Sequence, residues 1–156
     1  MATASSLIVP VFLNLESRYD PNSATSGLLK YASVCQVSLD EPGASGNSAD
    51  ITRFLISQGA GTALVTLGAD GCLVAQRQVA YRVRPPVVNV LDGYGAGAAF
   101  SAGIMYGLRA GWSLENCARL ATAYAGLKCQ VAGIADMSIR EIRETASTLD
   151  VQPILL

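Results

Sequence analysis

Along the chain the apolar residues gather in short blocks with two rhythms. Residues 7–13, Leu-Ile-Val-Pro-Val-Phe-Leu, form a brief continuous run, the pattern of a strand covered on both faces as in a parallel sheet. Residues 34–37 and 62–66 predict two more short strands. Between these runs the spacing turns helical. A short helix is expected over 23–31, with Ser23 or Asn22 at its start. Another is expected over 51–58, capped by Ser48 or Asp50, where Ile51, Phe54 and Leu55 share a face and Gly59 and Gly61 end it. Residues 71–76 and 80–84 read as antiparallel edge strands around a turn at Arg77-Gln78, and Pro85-Pro86 then demands extended backbone.

The second half is helical in rhythm. Residues 92–97 are a glycine-rich turn that leads into an apolar, small-residue helix through Leu108, broken at Gly111-Trp112. Residues 114–129 predict a helix capped by Ser113, with Glu115 in its first turn and Leu114, Cys117, Ala118, Ala121 and Ala125 on a close-packing face. A last helix runs to about residue 148, with Ser138 as cap and Glu141 at the capping-box position. Strands and helices thus alternate, which predicts an α/β fold with a mostly parallel sheet flanked by helices. No repeat, low-complexity tract or linker divides the chain, so residues 1–156 are expected to form a single domain.

Composition narrows the chemistry. With 51% apolar and 15% charged residues, the chain can build a proper core and is not of the disordered class. A formal net charge of -1 offers no bulk attraction to nucleic acid or an anionic membrane, so any phosphate binding has to come from local backbone geometry. The uncharged run 93–108 is about 16 residues, whereas a membrane span needs about 20, and it opens on helix-weakening glycines. A buried helix is expected there. Cys35, Cys72, Cys117 and Cys129 lack metal-ligand spacing and there is no histidine, which argues against structural zinc and for reduced thiols in a cytoplasmic protein. Without histidine, acid–base work falls to carboxylates.

The chemistry concentrates at Asp92-Gly93-Tyr94-Gly95-Ala96-Gly97-Ala98-Ala99-Phe100. A glycine turn running straight into a helix leaves backbone N–H groups without intrahelical partners, and such a start favours an anion, phosphate above all. Gly95 and Gly97 permit a close approach, and Asp92 is the carboxylate within reach in sequence. A second candidate is Thr66-Leu67-Gly68-Ala69-Asp70-Gly71. As a bare pattern it is open to another reading, because Asp-Gly between strands is an ordinary hairpin signal. Glu41, after the 34–37 strand, suits a hard cation that keeps its waters; a loop glutamate that merely faces solvent is the other reading.

These residues resemble the PfkB (ribokinase-like) carbohydrate kinases. That family's C-terminal signature, D-T-x-G-A-G-D-x-F followed by a small-residue helix ending in Gly-Leu, is matched by Asp92, Gly95, Ala96, Gly97, Phe100, Gly103, Gly107 and Leu108. Ala98 stands where the family carries its catalytic base, an aspartate, and Gly93 and Tyr94 replace the residues usual after the first aspartate. The T-x-G-x-x-G run is similar to the family's loop beside the nucleotide phosphates, and Ser38-Leu39-Asp40-Glu41 to its N-x-x-E, with Glu41 kept and Ser38 for the asparagine. Only Arg18 is kept of a family D-x-N-x-R pattern after the first strand, where a plain polar loop explains the letters as well.

The resemblance implies a ribokinase-like fold, here its C-terminal half, and ATP-dependent phosphoryl transfer with Mg2+ to a sugar or related hydroxyl. It implies that the amides of Gly95, Ala96, Gly97 and Ala98 receive a phosphate, that Glu41 and Asp92 assist the metal, and that Thr66, Gly68 and Gly71 flank the nucleotide. Gly133 would border the adenine. With Ala98 at the base position and the upstream half absent, activity is expected to be impaired, and a non-catalytic nucleotide-binding or protein-interaction module is the alternative. Missing sheet partners would leave an exposed edge, for which self-association is expected.

Overall fold

A computed structural model describes residues 9–17, 19–40, 46–77, 79–133 and 136–156. Among them six strands form one mixed sheet flanked by helices, in the order β1 (Phe12–Asn14), β2 (Val34–Ser38), β3 (Ala63–Thr66), β4 (Cys72–Gln76), β5 (Val79–Val83) and β6 (Val151–Ile154). β1 runs parallel to β2 in the register Phe12↔Val34, and β2 parallel to β3 with Cys35↔Ala63. The apolar run that predicts the first strand is longer than the strand itself. Leu7 and Ile8 lie outside the described residues, and Val11 gives its N–H to Ser33 Oγ at 3.1 Å, one residue after a proline that cannot donate at all.

The chain divides into two compact units: residues 1–68, 73–80 and 153–156 in the first, and 69–72 and 81–152 in the second. In the first, Leu29, Cys35, Val37, Leu55, Ala63 and Val65 make the core, with Leu13, Phe54 and Ile154 half-buried around it. The expected helix over 23–31 is a 3-10 helix, Ala24–Tyr31. Its serines explain the tighter winding, because Ser23 Oγ binds Asp20 O and Ser26 Oγ binds Ser23 O, hydrogen bonds that compete with an α-helical ladder. Helix α1 (Ser48–Ser57) is capped by Asn47, not by Ser48 or Asp50. Asn47 Oδ1 accepts from the amides of Ala49 at 2.9 Å and Asp50 at 3.2 Å, while Asp50 pairs with Arg53 from inside the first turn.

The second unit is built on α2 (Ala96–Arg109), α3 (Leu114–Lys128) and α4 (Ile139–Thr148). The small residues that mark α2 and α3 let their backbones touch. A Cβ on Gly103 would stand 2.6 Å from Ala121 Cα, and one on Gly107 2.7 Å from Cys117 Sγ. Ser113 caps α3 as expected, accepting from Asn116 N at 3.3 Å. Ser138 makes no side-chain cap bond to α4. Residues 84–90 form no regular element, and Pro86 fills the space beside Gly126, where a Cβ would lie 2.5 Å from its Cγ. β6 was not foreseen, since Pro153 within a short run argues against a strand. Among the described residues no helix is long and apolar enough to cross a membrane.

Candidate functional site

The glycine turn of the second unit is stitched to the far end of α3. Cys129 O, one residue past that helix, accepts from both Leu91 N at 2.7 Å and Asp92 N at 3.1 Å. Asp92 then holds the turn from within. Its Oδ1 accepts from Tyr94 N at 2.9 Å, an Asx turn, and its Oδ2 from Gly133 N at 2.9 Å, forty-one residues away. Gly133 reaches that position with φ 63°, in the left-handed region. Beneath the turn lies Lys128, its side chain only 10% exposed, donating from Nζ to Asp92 O at 3.3 Å and Val131 O at 3.2 Å and lying 3.7 Å from Asp92 Oδ2. The Gly133 amide, then the Tyr94 amide, with Lys128 adding its charge, hold the Asp92 carboxyl below the usual aspartate range.

The start of α2 follows from this anchoring. Gly95, at φ 84° and ψ 0°, is the N-cap, a left-handed position that a residue with a Cβ rarely adopts, and it has no side chain to satisfy the helix start. The amide of Ala96 is taken by Gly93 O at 3.2 Å, and the helical ladder begins with Ala99 N on Gly95 O at 3.0 Å. Among the described residues no acceptor meets the N–H of Gly97 or Ala98, and both residues are exposed. Two backbone donors therefore open to solvent at the positive end of a 14-residue helix. The Ala98 side chain, a methyl group, accepts no proton.

The fold thus brings together Asp92, Gly95, Ala96, Gly97, Ala98 and Gly133. Within that set Ala96 is partly engaged. Thr66 and Gly68 belong to the first unit: Thr66 closes β3 with its Oγ1 on Ser38 Oγ at 3.1 Å, and Gly68, at φ 55°, opens the 3-10 turn Gly68–Asp70. Gly71, in the second unit, has φ 85°, and a Cβ there would fall 2.0 Å from Val83 O. Both glycines of the T-x-G-x-x-G run thus have a packing reason to be glycine, since a Cβ on Gly68 would stand 2.9 Å from Asp40 Cβ. Glu41 and Arg18 lie outside the described residues. Sequence reasoning passed over Lys128; its one signal was a lone charge at the end of an otherwise uncharged stretch of α3. Among the described residues no three His, Cys, Asp or Glu side chains gather as a metal cluster.

A mixed sheet with flanking helices, and a helix start that keeps two amides open to solvent, define an α/β protein. The family model for the pfkB family carbohydrate kinases matches residues 32–141, and the chain belongs to that family. Among curated relatives, the 1-phosphofructokinase of Escherichia coli strain K12 is 31% identical over 104 residues, covering 67% of this chain and 33% of the relative. The fructoselysine 6-kinase of the same organism is 37% identical over 81 residues, 52% of this chain and 31% of the relative. Among solved structures, the Arabidopsis thaliana ribokinase complexed with ribose and ATP superposes with a TM-score of 0.71 at 22% identity, over 94% of this chain and 49% of that one. The fold is ribokinase-like. The chain spans about a third of the length of the curated relatives it matches and about half of the solved structures.

Proposed function

We propose that this chain is the nucleotide-binding part of an ATP-dependent carbohydrate kinase, impaired in phosphoryl transfer by Ala98. The observation that carries the reading is the pair of unpartnered, exposed amides of Gly97 and Ala98 behind a left-handed Gly95. Phosphoryl transfer needs positioning and charge stabilisation more than covalent chemistry, and a phosphate seated on these amides receives both. Gly95 and Ala96 complete the turn, the former by its geometry and the latter by closing onto Gly93. Thr66, Gly68 and Gly71 would flank the nucleotide, and Gly133 the base.

The residues fit ATP at its phosphates. Mg2+ would be held by Glu41 and Asp92, neutralising charge on the phosphates when bound. Asp92 would bring a carboxylate that Tyr94 N and Gly133 N already fix in place. Family membership supports a sugar or related hydroxyl as acceptor, and the Arabidopsis ribokinase, complexed with ribose and ATP, supports the pairing of sugar and nucleotide. A cytoplasmic location suits such substrates.

The missing carboxylate at position 98 favours a second reading, a nucleotide-binding module without turnover. Removing a general base lowers a rate by about 10²–10⁴. Calorimetric titration with ADP and ATP, with and without Mg2+, tests the shared part: no binding under either condition rejects both readings. Ala98→Asp separates them. A rise in ATP-dependent sugar phosphorylation toward that range supports the kinase, whereas unchanged turnover with intact binding leaves the module.

A further inference from the structure

We infer that Lys128 is the fixed countercharge of the turn, a positioning residue that cancels Asp92 and thereby keeps the start of α2 receptive to phosphate. The inference rests on the nucleotide-binding reading above. Three observations lead to it. The ammonium is held rather than solvated, since its side chain is 10% exposed and its Nζ donates to Asp92 O at 3.3 Å and Val131 O at 3.2 Å. It lies 3.7 Å from the carboxylate that anchors the turn. Its stem runs under the N-cap of α2, where a Cβ on Gly95 would sit 3.6 Å from Lys128 Cε.

Charge decides what this arrangement does. A helix start offers an anion the equivalent of about half a positive charge. An uncompensated Asp92 carboxylate, in the same turn, outweighs that and would repel a phosphate. With the lysine in place the pair is neutral, and the helix start is again the net field that an incoming phosphate meets. A different role is available to the same side chain: a lysine in the last turn of α3 binding nearby carbonyls as an ordinary helix-end cation. That role concerns stability, not ligand affinity, and a charge cycle separates the two.

ADP binding is measured by calorimetry in EDTA, alongside urea unfolding, for the wild type, Lys128→Met, Lys128→Arg and the double variant Asp92→Asn with Lys128→Met. Lys128→Met should weaken ADP binding about tenfold, as expected for a fixed charge beside an anion in a partly buried site. Adding Asp92→Asn should recover most of that loss, because the repelling carboxylate is gone, and Lys128→Arg should stay within about threefold of wild type. A double variant that binds no better than Lys128→Met, or a Lys128→Met variant that binds as wild type does, overturns the inference while leaving nucleotide binding intact. Wild type that takes up no ADP overturns the nucleotide reading and this inference with it. Should Lys128→Met not fold, Lys128→Gln decides: it keeps a donor for the carbonyls of Asp92 and Val131 without the charge and should weaken ADP binding about tenfold, and binding as tight as wild type rejects the role.

Discussion

Gly97 separates the needs of the fold from those of a ligand. It is the second residue of α2, exposed, and a Cβ built there meets nothing within 4 Å. Its φ is not in the left-handed region, so alanine can adopt the same backbone without strain. Replacing glycine by alanine under those conditions stabilises by about 0.4–1 kcal/mol, chiefly by restricting the unfolded chain. For a protein of this size each kcal/mol moves the melting temperature by about 2–4 °C, so Gly97→Ala should melt about 1–4 °C higher than wild type. Under the proposed function the reason for glycine at this position is the phosphate. A methyl group beside its open N–H crowds an approaching phosphate, and a hydrogen bond to a charged group contributes about 1.5–3 kcal/mol. Gly97→Ala should therefore bind ADP at least about tenfold more weakly, measured by calorimetry beside scanning calorimetry of the free protein. A variant that melts higher and binds ADP as tightly as wild type would refute the claim that this glycine is kept bare for an anion. One that melts lower would refute the backbone geometry itself.

Gly71→Ala should behave in the opposite way. Its φ of 85° and the 2.0 Å approach of Val83 O to a Cβ combine a backbone penalty of about 1–2 kcal/mol with overpacking of about 1–3 kcal/mol, so the urea midpoint should fall by the equivalent of about 2–5 kcal/mol. An unchanged midpoint would contradict the close approach of Gly71 to the carbonyl of Val83. Asp92 predicts a pH response. Its carboxyl is held below the usual aspartate range by the Gly133 amide first, then the Tyr94 amide and Lys128, so its contribution is complete at neutral pH and is lost only as pH falls through that depressed value. The protection factors of the Gly133 and Tyr94 amides, taken relative to their intrinsic exchange, should hold through mild acid and fall only below the range where ordinary aspartates titrate; a fall near neutrality would contradict this. Burial pushes the Cys35, Cys72 and Cys117 thiols up to about 12, 11 and 11, whereas Cys129 is half-exposed. Iodoacetamide on the native protein followed by mass spectrometry should label Cys129 alone of the four, and modification of the other three without unfolding would disprove their burial.

The letters of the chain already carried its local physics. The short apolar blocks mark β2 and β3, the small residues mark a close α2–α3 contact, and the glycines ahead of Ala98 mark a helix start whose first amides stay open. These are legible because they depend on neighbours in sequence: period, propensity and a missing Cβ act within a turn or two. Other features were settled at a distance. Asn47 rather than Ser48 or Asp50 caps α1 because of which oxygen the folded turn delivers to the amides of Ala49 and Asp50. Gly71 looks like half of a hairpin signal, yet it is held to glycine by Val83, twelve residues on. The anchoring of Asp92 by Gly133 and Lys128 is further still from local reading, since it joins residues 36 and 41 positions apart that share no motif. Sequence alone could mark where unpaired donors would stand, but which charges face them is a matter of three-dimensional proximity, because a Coulomb field depends on distance in space and not along the chain.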